Sequence, residues 1–185
     1  MKKTLIFLTA FLAASTAIAD DAEKPDLSSA LSVSPIHLLS PMVEIQGEQA
    51  LGKIFSLALI AGAGQITTTE TIGQPIKFNI YEVGCQLRAY FAGNFEEGAY
   101  AGIETLQIWV EGNSEGVRGL GEGLEMGAIA GYKWGFHRGF FIELNGGVGF
   151  LMSSANAEEV GGTQEAHLEE SRFIPILNFN LGWAF

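Results

Sequence analysis

Phe173-Ile174-Pro175-Ile176-Leu177-Asn178-Phe179-Asn180-Leu181-Gly182-Trp183-Ala184-Phe185 is the stretch whose reading decides the fold. Successive side chains of a strand point to opposite faces. Phe173, Pro175, Leu177, Phe179, Leu181, Trp183 and Phe185 therefore share one face, against Asn178, Asn180, Gly182 and Ala184 on the other. One face is bulky and apolar, and the other is small or polar.

The same period recurs upstream in segments of about ten or more residues bounded by Gly, Asn, Glu or Pro turns. Phe140, Ile142, Leu144, Val148, Phe150 and Met152 alternate with Glu143, Asn145, Gly147 and Gly149. Over 120–136, Leu124, Met126, Ala128, Ala130, Tyr132, Trp134 and Phe136 oppose Glu125, Gly127, Gly131, Lys133 and Gly135. Over 77–92, Tyr81, Val83, Cys85, Leu87, Ala89 and Phe91 oppose Glu82, Gly84, Gln86, Arg88 and Tyr90, and 53–66 sets Phe55, Leu57, Leu59, Ala61 and Ala63 against Ser56, Ala58, Gly62 and Gly64. Residues 97–111 break the rule, because Gly102 and Glu104 have the opposite parity to Gln107 and Glu111. A β-bulge near Thr105 or Leu106 would restore a single polar face.

Charge shares a face with glycine, the residue that lets a narrow interior close around long side chains. Bulky apolar residues outside and a polar interior fit that arrangement, which points to a transmembrane β-barrel with lipid around it. A β-sandwich burying the apolar face against a second sheet is the competing reading.

The clear strands are 53–66, 77–92, 97–111, 120–136, 138–154 and 172–185. Their connections alternate short and long: 93–97 short, 112–119 longer, 137–139 short, 155–171 longest. Short turns belong to the periplasmic end of such barrels. The strand beginning at 53 then needs a descending partner, 42–48, where Val43 and Ile45 oppose Glu44 and Gln46, and a rising one, 31–38, with Pro35 tolerable at a rim. The expectation is an all-β, eight-stranded antiparallel up-and-down transmembrane barrel.

Residues 1–19 read as a cleaved signal peptide: Lys2 and Lys3, an apolar run from Leu5 to Ala14, then Ala17-Ile18-Ala19. The expected layout is signal 1–19, a short periplasmic segment 20–29 and the barrel 30–185. Without Lys2 and Lys3, 8 basic residues face 21 acidic ones, a formal charge of −13 that argues against nucleic acid as a partner. The single cysteine, Cys85, has no partner for an internal disulfide.

The terminal Phe179-Asn180-Leu181-Gly182-Trp183-Ala184-Phe185 resembles the β-signal of outer-membrane proteins, and the chain is similar in layout to small eight-stranded barrels of the OmpA and OmpX transmembrane type. The resemblance implies a bacterial outer-membrane location, with Phe179, Leu181, Trp183 and Phe185 read by the barrel-assembly machinery. No peptidoglycan-binding domain is expected after the barrel.

The inward face is expected to carry Glu44, Glu82, Glu104, Glu125 and Glu143 with Arg88 and Lys133. In so small a barrel these form either an ion path or, the favoured reading, a salt-bridged plug. The excess of carboxylates requires protonation, hydration or pairing for some of them. A three-residue turn at His137-Arg138-Gly139, with Gly139 left-handed, sets Lys133 opposite Glu143 as a direct ion pair.

An outer-membrane deacylase would need a serine and a histidine close in space, and none of His37, His137 and His167 stands in a His-x-Ser pair. Glu158, Glu159, Glu165, Glu169 and Glu170 read as a solvated acidic loop, because the spacing of a calcium loop is absent. No catalytic residue, cofactor or metal is expected. The expectation is a monomeric, non-enzymatic outer-membrane barrel in contact with lipid and lipopolysaccharide, with an envelope structural or surface-interaction role. A narrow channel or transporter for a small or apolar solute, and a lipid-modifying enzyme, are the alternatives.

Overall fold

A computed structural model of the protein describes residues 27–35, 42–68, 76–114, 117–159 and 165–185. Eight strands follow one another: β1 (Ser29–Val33), β2 (Met42–Ala50), β3 (Phe55–Thr68), β4 (Ile76–Gly93), β5 (Gly98–Ser114), β6 (Val117–Gly135), β7 (Phe140–Glu159) and β8 (Glu165–Ala184). Each pairs antiparallel with the next, and β8 pairs with β1 to close the barrel. Closure satisfies the backbone groups that an open sheet would leave at its edges.

The register sets the geometry. From Ala30 the cross-strand partners run through Glu48, Ala58, Gln86, Glu104, Gly127 and Gly149 to Ile174. The direct partner of Ala30 on β8 is Ala184, so one circuit advances ten residues along the strand. Eight strands with that stagger tilt by about 40° and enclose a bore that side chains can fill.

The alternation places the bulky apolar residues outward. Among the outward positions, the apolar run extends from Trp134 to Leu124 on β6, from Phe140 to Met152 on β7 and from Trp183 to Phe173 on β8; Glu122, Ser154 and Ser171 come next. At about 3.3 Å per residue and that tilt, these runs rise roughly 25–30 Å along the axis. Aromatic rings mark both margins. Phe136, Phe140 and Trp183 form a chain at the end with the short turns, with centroids 5.7 and 6.1 Å apart. Toward the far end, Phe150 and Phe173 meet at 5.2 Å, and Tyr81 is the cross-strand partner of Trp109.

The β6–β7 hairpin has the expected form. Gly139 has φ 83°, Phe136 N donates to Phe140 O at 2.7 Å, and Lys133 lies opposite Glu143. Arg138 is also left-handed, with φ 66°.

Three expectations need correction. No bulge interrupts β5 near Thr105 or Leu106, since its pairing with β6 is continuous from Gly98 to Ser114; the irregularity lies instead between Tyr90 and Ala92 on β4. The first strand ends at Val33 rather than running to 38, and 36–38 lie outside the described residues. The presumed loop 155–171 is mostly strand, because β7 continues to Glu159 and β8 starts at Glu165, with Glu158 opposite Glu165. Polar strand extensions continue the hairpin beyond the apolar belt, and their lack of an apolar face made them read as loop.

Candidate functional site

Glu44, Glu82, Arg88, Glu104, Glu125, Lys133 and Glu143 all lie on the inward face and are buried. They fall into two groups along the bore, joined through Gln86. Arg88, Lys133 and Glu143 gather at the end with the short turns, while Glu44, Glu82, Glu104 and Glu125 sit further along the bore.

The first group is organised by Glu48, a residue that sequence reasoning missed. The Lys133 ammonium contacts Glu48 Oε2 at 2.5 Å, and Arg88 Nη1 lies 3.1 Å from the same oxygen. Ser56 Oγ and Tyr90 OH donate to Glu48 Oε1 at 2.5 and 3.0 Å. Arg88 also forks onto Glu143, Nη1 to Oε2 at 2.9 Å and Nη2 to Oε1 at 3.2 Å. Asn180 Nδ2 donates to Glu143 Oε1 at 2.9 Å. The order is Lys133, Glu48, Arg88, Glu143, with signs alternating. Opposite charges in contact offset part of the several kcal/mol that each would cost if buried alone.

The expected direct Lys133–Glu143 ion pair is therefore corrected. The two residues are cross-strand partners, yet each finds its counter-ion across the bore. Glu48 carries a signal, since it is in phase with Glu44 and Gln46, but it adjoins the turn, where alternation is a weaker guide.

Below these charges lies an aromatic floor. Phe95, in the β4–β5 turn, folds into the bore and is almost completely buried with Tyr90, Tyr100 and Phe141. The Lys133 ammonium sits 4.2 Å from the Phe95 ring centroid and 4.9 Å from that of Phe141, and the Arg88 guanidinium lies 4.7 Å from that of Tyr100. Cations held over ring faces gain from the ring quadrupole. Phe95 stands in a turn, where period-2 alternation says nothing about direction.

In the second group Gln86 Nε2 donates to Glu104 Oε2, which links it to the lower charges, because Gln86 Oε1 accepts from Arg88. Glu44 and Glu82 flank Gly62, the cross-strand partner of both. Glu125 Oε1 is buried with no hydrogen-bond partner. Farther toward the long-strand end the inward face becomes apolar. Leu106, Ile108 and Val110 of β5 share this face with Phe78 and Ile80 of β4, Leu151 of β7 and Ile174 of β8. This corrects the expectation of a polar interior throughout, and it explains why 97–111 looked out of phase. Its register never slips. Past the apolar belt the outside turns polar, at Gln65, Asn79 and Glu111, and the inside turns apolar; Gln107 is an outward polar residue within the belt, between Val83 and Leu124.

The other candidates stand apart from this interior. His137 is exposed in the β6–β7 turn, and Glu169 and Glu170 are exposed on β8. His37 and the side chains of Glu158, Glu159, Glu165 and His167 lie outside the described residues. Phe179, Leu181, Trp183 and Phe185 share the outer face of β8, where Trp183 is the partner of both Leu31 and Phe140. Among the described residues no group of His, Cys, Asp or Glu is arranged to hold a metal ion. Neither a family model nor a curated protein matches this sequence.

Proposed function

We propose that the protein is an integral outer-membrane barrel of the bacterial envelope, non-enzymatic and monomeric, with a structural or surface-interaction role. One observation carries this reading: the barrel wears its apolar residues outside, in a belt roughly 25–30 Å high, around a bore blocked by buried charge. That height matches the apolar band of outer-membrane barrels, about 25 Å, and the aromatic rings at both margins correspond to their interfacial girdles. A chain free in water seldom exposes a contiguous apolar band of this extent. Lipid is the partner that such a band fits. The acidic outward residues beyond it, Glu111, Glu122 and Glu169, would stand at the level of lipopolysaccharide headgroups, and the aromatic end of β8 would engage the assembly machinery.

The Lys133–Glu48–Arg88–Glu143 layer and the aromatic floor argue against the channel reading, because they occupy the bore where an ion would pass. The test is fractionation of bacteria expressing the full chain, followed by electrophoresis with and without boiling. The protein should sediment with outer membranes and migrate anomalously until boiled. Recovery from the periplasmic fraction with no shift on boiling would refute the proposal.

A further inference from the structure

The part of the bore that this role does not use is its far half, a cup closed from below. Its wall is Phe78, Ile80, Leu106, Ile108, Val110 and Leu151, and its base is formed by the carboxyls of the second group. Glu125 stands at the junction, with Leu106 and Leu151 as its cross-strand partners on either side. It is only 6% exposed, and its Oε1 has no hydrogen-bond partner. Glu104 and Glu82 are close enough to act on it electrostatically. The lower cations cannot serve Glu125, because Lys133 and Arg88 are held by Glu48 and Glu143.

One side of the cup has room. Gly121 and Gly123 of β6 face Val110 and Ile108 across the strand pair. A Cβ on Gly121 would meet nothing closer than Val110 Cβ at 3.6 Å, and one on Gly119 nothing closer than a backbone oxygen at 4.0 Å. Gly119 and Gly121 thus leave space inside the wall, whereas at Gly123 the Leu151 side chain already stands 3.2 Å from where a Cβ would be.

We propose that this cup binds a small amphipathic organic cation, an alkyl or aryl ammonium compound, with its apolar body against Leu106, Ile108 and Val110 and its ammonium on Glu125. The two halves of the cup select for the two halves of such a ligand. An anion meets the carboxyls, and a neutral alcohol leaves Glu125 without a charge-assisted partner. A bare metal ion lacks a convergent set of ligands among the described residues. At the rim Arg172 pairs with Glu170 at 3.6 Å and is 60% exposed, so it does not fill the role of the cation. The charged layer and floor below make the cup a blind site rather than a path.

The test uses the full chain in phospholipid nanodiscs, with methyl-labelled Ile, Leu and Val followed by NMR, and hexylammonium as the probe. Hexylammonium should shift the Leu106, Ile108 and Val110 methyls saturably, and hexanol and hexanoate should bind at least tenfold more weakly. E125Q should lower hexylammonium affinity at least tenfold and leave the weak hexanol binding unchanged. V110W, which fills the cup without altering a carboxyl, should abolish binding of the probe and serves in place of E125Q if that variant does not fold. Absence of saturable shifts, equal affinity for hexanol, or undiminished hexylammonium binding by either variant would overturn the proposal.

Discussion

Lys133 and Glu143 show what a register can and cannot tell. Alternation and turn length place their Cα atoms opposite each other, but a lysine stem and an arginine stem are long enough to cross a bore this narrow. The guanidinium of Arg88 matches the two oxygens of Glu143 in a fork, a geometry that an ammonium cannot reproduce. Lys133 is thereby left for Glu48, whose second oxygen is already supported by Ser56 and Tyr90. Inward placement was legible from parity, whereas the choice of partner depends on strands distant in sequence. The pairing makes a prediction. In unfolding titrations of the protein in lipid, K133M or E48Q alone should cost about 3–5 kcal/mol, because each strands a buried charge. A double-mutant cycle of Lys133 with Glu48 should show coupling of at least about 1 kcal/mol, and the cycle of Lys133 with Glu143 a smaller one. The opposite ranking would mean that the hairpin partners pair directly.

At the scale of the element, the β6–β7 hairpin and β5 were read with the same rule and different success. The hairpin turn was legible because only a glycine adopts φ 83° at no steric cost, and Gly139 stands at the position that needs it. Arg138, at φ 66°, adopts the same region without that freedom. R138G should therefore stabilise the protein by about 0.5–1 kcal/mol, and G139A should destabilise it by more than about 1 kcal/mol, the added methyl also meeting Ala184 O. Destabilisation by R138G, or no loss of stability in G139A, in thermal unfolding would show that the turn has another conformation. For β5 the rule failed because it assumed that polar means inward along the whole strand. Gln107 and Glu111 are outward on an unbroken register. Toward the far end of the strand the preferred chemistry of its two faces exchanges while its geometry does not.

For the whole molecule, the claim is a barrel with two surroundings: an apolar belt with charge inside, then an extension with polar residues outside and an apolar cup within. Eight strands and their order were legible, because turn signals and alternation are local. The stagger of ten, the aromatic floor and the division of the bore were not, since each arises only when distant strands close the ring. The most direct measurement is collisional accessibility of spin labels on the protein in bilayers, with Cys85, the sole cysteine, replaced by alanine. Labels at Val148 and Leu177, outward within the belt, should collide with oxygen and be shielded from a water-soluble nickel complex. Labels at Glu122 and Ser154, outward just beyond it, should reverse that preference. Uniform access of the nickel complex to all four positions would contradict the account.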